Sequence, residues 1–157
     1  MLEVHKFMTH EELKAGIKEA MKAKDAVRLS VFRGLVTAAT NEAIAKGKGP
    51  DALLTDDELM TVIMRAAKQR KDSIEQFEKG GRPELAENEK AELAVIETLL
   101  PAQMSRDEIE AAVKAKAAEL GVVDKTGANK LIGALMKDLK GKADGTIVKE
   151  VITTLFP

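Results

Sequence analysis

The stretch Ala66 to Phe77, "AAKQRKDSIEQF", decides how the chain is read. At 3.6 residues per turn, Leu59, Ile63, Ala66, Arg70, Ser73, Ile74 and Phe77 fall on one face. That spacing belongs to an amphipathic helix. A strand would alternate with period two, and no useful length of the chain does so. The helical reading leaves one awkward residue, because Arg70 stands within an apolar stripe. An unpaired cation aimed at a core costs several kcal/mol or more, so the sequence must supply partners or water for it.

Outward from this segment, helix starts are punctuated. Thr9–Glu12, Thr55–Glu58 and Ser105–Glu108 each have the capping-box pattern, a hydroxyl followed three residues later by Glu. Each also places acids in the first turn, where the helix dipole favours them. Pro83 suits the first turn of a fourth long helix. Asp144 is a candidate N-cap for the last one. Stops are expected at Gly47, Gly80, Gly121 and Gly141, which can close helices in the left-handed conformation. The spacing predicts helices over 9–24, 25–46, 55–79, 83–99, 105–120, 127–140 and 145–156.

The fold class is therefore all-α. The segment Leu99–Ser105, "LLPAQMS", separates four longer helices from three shorter ones. The expected organisation is an N-terminal four-helix bundle-like domain over 1–101 and a small three-helix C-terminal domain over 102–157.

Composition narrows the chemistry. The chain has 157 residues, 45% of them hydrophobic, yet it lacks Trp and Tyr, so the core must be aliphatic. It has no Cys, which excludes disulfides, thiol nucleophiles and thiolate metal sites. The cysteine-free composition fits a reducing compartment. With no apolar core of a signal peptide in "MLEVHKFMTH", the expected location is the cytoplasm. No apolar run reaches membrane-spanning length, and no membrane association is expected. Residues 1–48 carry nine Lys/Arg against six Asp/Glu, 49–120 ten against sixteen, and 121–157 six against four. Only the ends are mildly basic, a weak electrostatic footprint for nucleic acid.

Partners for Arg70 are found on the fourth helix. Its apolar face holds Leu85, Leu93, Ile96, Leu99 and Leu100, and Glu89 and Glu92 fall on the same side. The second helix places Arg28 in line with Phe32, Leu35 and Ala39. Arg28, Arg70, Glu89 and Glu92 read as a structural polar network that fixes helix register. The same four groups could instead grip a phosphate or carboxylate between helices. No di-metal ligand set accompanies the two glutamates, and no metal or cofactor is expected. No catalytic constellation is visible either. His5 and His10 are expected to be solvated tail residues. "EKGGRPE" lacks the terminal Lys-Ser/Thr of a phosphate-binding loop. The seven methionines read as core gap-fillers.

The tail offers a second candidate. In Gly133–Gly145, "GALMKDLKGKADG", Leu131, Ile132, Leu135, Met136 and Leu139 make an apolar face, with Lys130 and Lys137 on the opposite side. Lys140 and Lys142 flank Gly141. Gly133, Gly141, Asp144 and Gly145 read as turn and cap positions. Lysines at a helix C-terminus are ordinary dipole capping. Together with Lys149, they could also form a basic surface that contacts phosphates without reading bases.

"KLIGALMKDLKGKADGTIVKEVI" resembles the C-terminal tail of the B subunit of tRNA-dependent amidotransferases (GatB). Gly133, Met136, Lys137, Lys140, Gly141, Lys142, Ala143 and Asp144 carry the match. With "MKAKDAVRLSVFRGL", "KQRKDSIEQFEKGGRPELAENEKAEL" and "LLPAQMS", most of residues 10–157 resemble the stand-alone YqeY family. One departure is Ala128-Asn129-Lys130, where the family often has Met-Gly-Lys. The resemblance implies an all-helical protein whose tail helps hold tRNA, and partners among tRNA, amidotransferase or translation components. It implies the label carbon–nitrogen ligase with glutamine as amido-N-donor. The chain has no counterpart of the B subunit's ATP-using body or the A subunit's glutaminase, so what carries over is binding rather than a reaction. The expected function is a tRNA- or RNA-binding accessory module acting as a monomer. The alternative is a helical protein–protein adaptor without RNA binding.

Overall fold

The computed structural model describes residues 8–157, and His5 lies outside the described residues. Seven α-helices and no strands occur among them: α1 (His10–Lys22), α2 (Ala26–Ala45), α3 (Asp56–Lys79), α4 (Pro83–Thr98), α5 (Arg106–Leu120), α6 (Ala128–Asp138) and α7 (Gly145–Leu155). The chain forms two compact units, Met1–Pro101 and Ala102–Pro157.

In the first unit, α3 lies along α4, α1 along α2, and α2 touches both α3 and α4. The capping boxes at Thr9 and Thr55 are formed, with Glu12 and Glu58 returning to the cap N–H. Asp25 accepts from the Arg28 N–H at 3.0 Å and starts α2. Leu13, Phe32, Leu35, Leu59, Ile63 and Ile96 are buried in one cluster. Burying each such side chain is worth about 1.5–3 kcal/mol relative to leaving it in water.

Two backbone positions differ from the sequence reading. Gly80 keeps φ −81° as the C-cap of α3, and Gly81 takes the left-handed turn at φ 70°. The turn belongs one residue beyond the cap, where it lets the Arg82 N–H reach the Phe77 carbonyl at 2.8 Å. After α1 the same role falls to Lys24, at φ 55°. There the Asp25 N–H reaches back to the Ala20 carbonyl at 3.1 Å. A side chain in that conformation is strained, and only the tertiary demand for a short α1–α2 turn holds it there.

At Gly16, α1 backbone comes into close contact with the Phe32 ring of α2. A Cβ added there would meet Phe32 Cδ1 at 2.5 Å and Cζ at 3.1 Å. The glycine lets α2's most deeply buried aromatic ring press on α1 backbone.

In the second unit, α5, α6 and α7 pack on one another. Ile109, Val113, Leu131, Leu135, Val148 and Ile152 form their core. A short 3-10 turn over Lys125–Gly127 precedes α6, with Asp124 accepting from the Thr126 N–H at 2.9 Å. α6 ends at Asp138, two residues short of the expected 140, because the chain turns at Leu139 and takes φ 80° at Gly141.

Candidate nucleic-acid interface

The second unit brings the predicted tail residues onto α6, the turn after it and α7. Lys130 and Lys137 are exposed on α6, Lys140 and Lys142 on the turn, and Lys149 on α7. Gly141 itself is buried, and its left-handed conformation turns the chain between the two turn lysines. Its carbonyl accepts from the Gln103 side-chain amide at 2.8 Å, and the Lys142 carbonyl accepts from the Met104 N–H at 2.8 Å. Asp144 caps α7, accepting from the Thr146 N–H at 2.8 Å. A Cβ on Gly145 would overlap Cε of Met136 and meet its Sδ at 3.3 Å, so α6 and the start of α7 make close contact. Gly133 is a correction to the turn reading: it sits mid-way along α6, exposed, with nothing within 4 Å of an added Cβ.

Charge in this unit is divided sharply. Lys116 is paired with Asp138 at 2.8 Å and Glu119 at 3.3 Å, and these bonds, Asp138's foremost, push its ammonium up. The Lys116 hydrogen bond in turn holds the Asp138 carboxyl below its ordinary range. Arg106 meets Glu150 at 3.2 Å, and Lys114 meets Glu110 at 2.9 Å. Among the described residues, no ion pair engages Lys130, Lys137, Lys140, Lys142 or Lys149. Asp138, Glu119, Glu150 and Glu110 are thus held by other cations, while Asp144 is spent on the α7 cap, and the five lysines are exposed.

A feature the sequence reading missed is an open groove of about 550 Å³ between α5 and α7, lined by Arg106, Thr146, Lys149, Glu150, Thr153 and Thr154. Five of its six residues lie on one face of α7, and Arg106 joins them from the start of α5, forty positions before Thr146. The Thr153 and Thr154 hydroxyls donate to the carbonyls of Lys149 and Glu150, each at 2.9 Å.

In the first unit the question set by Arg70 has a geometric answer. Its guanidinium lies 3.1 Å from Glu89 and 2.7 Å from Glu92. Ser30 Oγ donates to the second oxygen of Glu92 at 3.2 Å. The fully buried part of α3 is Leu59, Val62, Ile63 and Ala67, so Arg70 stands just where the core ends, with its side chain 31% exposed. Arg28 does not join this group. It lies over the Phe32 ring, 4.8 Å from the centroid, as a cation–π contact one helical turn away.

His10 is the clearest correction. The expectation of a solvated tail fails: as the first residue of α1 it is 2% exposed. Its Nδ1 accepts from the Leu54 N–H at 2.9 Å, tying α1 to the segment before α3. The ring is therefore neutral, with its proton on Nε2, which is buried without a hydrogen-bond partner. Burial, then the nearby Lys14 charge, hold its pKa below the ordinary 6.5. A capping-box position gives no local signal that the next residue turns inward, so the sequence could not show it.

The family model for Yqey-like proteins matches residues 10–156. The chain belongs to that family. Among curated proteins, this Yqey-like chain is similar to three that are each named "Altered inheritance of mitochondria protein 41, mitochondrial". The one from Lachancea thermotolerans is 40% identical over 56% of this chain and 46% of its own length. That from Kluyveromyces lactis is 38% identical over 64% of this chain and 54% of its own. That from Pyrenophora tritici-repentis is 30% identical over 83% and 71%. The chain thus spans about half the length of the first two. These names overturn the cytoplasmic expectation, since the relatives are mitochondrial proteins. Absence of cysteine suits any reducing compartment and carries no address.

Proposed function

We propose that this Yqey-like protein is a tRNA- or RNA-binding accessory module related to tRNA-dependent amidotransferases, with its RNA-contacting surface on the second unit. One observation carries the reading. Lys130, Lys137, Lys140, Lys142 and Lys149 are exposed and outside every ion pair among the described residues, while Asp138, Glu150 and Glu110 are taken by Lys116, Arg106 and Lys114. Free ammonium groups on a small unit can replace counterions along a phosphate backbone. They supply orientation and affinity rather than base readout. In this reading the first unit is a four-helix bundle. Arg70 is a register-fixing cation, because Glu89, Glu92 and Ser30 already satisfy one another around it. The family's carbon–nitrogen ligase label is read as belonging to the larger amidotransferase assembly.

The test is fluorescence anisotropy of labelled tRNA titrated with the full chain at several salt concentrations. Affinity is expected to fall steeply with salt. Each phosphate-contacting lysine should add about 0.7–0.9 to the log–log slope. The combined Lys137→Glu, Lys140→Glu and Lys142→Glu variant should lose the salt-dependent binding. A charge-reversed protein that binds as tightly as the unmodified chain refutes the proposal.

A further inference from the structure

The second unit offers little for a nucleotide base to stack on. Its one aromatic residue is Phe156, half-buried against the unit's own core. Its one arginine is Arg106, whose guanidinium is engaged by Glu150 at 3.2 Å. Unpaired RNA is gripped through its bases, which splay onto aromatic rings or guanidinium planes. A surface of lysines without such platforms grips phosphates and riboses instead. The RNA class that suits it is a double helix, whose bases are already stacked on one another and whose backbone is regular.

α6 supplies a matching face. Gly133 sits mid-way along it, exposed, with nothing within 4 Å of an added Cβ. A glycine weakens a helix interior relative to alanine, and no neighbour in the fold requires one at this position. Gly34 on α2 is as open, but Ser30 and Thr37, one turn to either side of it, are uncharged. One turn to either side of Gly133 stand Lys130 and Lys137, both exposed and outside every ion pair among the described residues. The three positions fall within an arc of about 60°, and the two lysine Cα atoms are about 10 Å apart along the axis. The face is therefore bare backbone in the middle, with a long cationic arm at each end.

We infer, resting on the RNA-binding reading proposed above, that the Lys130–Gly133–Lys137 face of α6 seats on the backbone of double-helical RNA. A ribose-phosphate chain lies against the helix backbone at Gly133, and an ammonium group reaches phosphates on each side of it. The deep, narrow major groove of such RNA does not admit side chains, whereas its wide, shallow minor groove displays 2′-hydroxyls beside the phosphates. A side chain at position 133 would hold the strand away from the helix. Its absence lets both lysines engage at once. Contacts of this kind carry no base sequence, so stems of different sequence are held alike.

The test uses the full chain and three labelled RNAs: two hairpin stems of different sequence, and an oligouridine with the same number of phosphates. Fluorescence anisotropy at physiological salt should give the two stems equal affinity and the oligouridine an affinity about tenfold weaker. Gly133→Leu keeps every charge, and it should weaken stem binding about tenfold while leaving oligouridine binding unchanged. Leucine favours helix over glycine and the site is open, so thermal unfolding should occur no lower than in the unmodified chain. A Gly133→Leu protein that binds the stems as tightly as the unmodified chain, or that loses stem and oligouridine binding alike, overturns the inference. So does a marked preference for one stem sequence. Oligouridine bound as tightly as the stems overturns it too, and leaves the broader RNA reading standing. Binding to none of the three RNAs overturns both.

Discussion

The same substitution, glycine to alanine, should have opposite signs on two adjacent helices. At Gly16 the new methyl would fall against Phe32, with Cδ1 at 2.5 Å and Cζ at 3.1 Å. Ordinary carbon–carbon contact lies near 3.5–4.0 Å. Phe32 is 0% exposed, so its ring cannot swing into solvent, and α1 and α2 must separate or the ring must leave its rotamer. Overpacking of this kind costs about 1–3 kcal/mol. Alanine regains roughly 0.8–1 kcal/mol of helix propensity. The net expectation for Gly16→Ala is destabilisation of about 0.5–2 kcal/mol. At Gly34 nothing lies within 4 Å, so only the propensity gain remains and Gly34→Ala should stabilise by about 0.5–1 kcal/mol. The chain has no Trp or Tyr, so denaturant unfolding is best followed by far-UV circular dichroism, with amide exchange assigning each transition to a unit. Gly16→Ala as stable as the unmodified chain would refute the claim that α1 and α2 are held at glycine distance by the ring.

Four further outcomes follow from the geometry. His10 resists protonation when folded, so the unfolded chain takes up a proton first; stability should fall as pH drops below about 6.5, and His10→Asn, which keeps an acceptor for Leu54, should remove that fall in acid titrations monitored by circular dichroism. His10→Ala should cost about 2–3 kcal/mol in denaturant unfolding, from the orphaned Leu54 N–H and the space left behind. The Glu58 carboxyl is held down to about 2, first by the Lys48 hydrogen bond, so its contribution is present above 4.5 and lost as pH falls toward 2; Lys48→Met should flatten that limb of the acid-unfolding curve. Arg70→Met should destabilise by about 1–2 kcal/mol, since it leaves two half-buried carboxylates facing each other, whereas Arg28→Met should cost less than about 1 kcal/mol in the same assay.

The helices were legible because their signals are local. Thr9, Thr55 and Ser105 each write a hydroxyl and a glutamate three residues apart, and that pair alone satisfies two helix-end N–H groups. Gly80 and Gly81 show the limit of such reading, since a glycine doublet does not say which member turns left-handed. Lys24 takes that conformation with no glycine to announce it. Arg70, Glu89 and Glu92 could be grouped because helical spacing puts each on an inward face. Arg28 shares that inward arc yet finds Phe32 on its own helix first, and face assignment alone does not give reach. His10 and Gly16 were not legible, because their roles are set by Leu54 and Phe32 from other segments. The exposed lysines of the tail were readable as positions. Their freedom from ion pairs became visible only once Lys116 was seen to hold Asp138.

Gln103 and Met104 fasten the start of the second unit to the carbonyls of Gly141 and Lys142. These two bonds put the linker and the lysine-bearing turn mechanically in series. A pull along the chain through Pro101 reaches Lys140 and Lys142 within a few atoms, without passing through the α5–α7 core. Strain entering at Gln103 and Met104 therefore meets the backbone of the Gly141 turn directly.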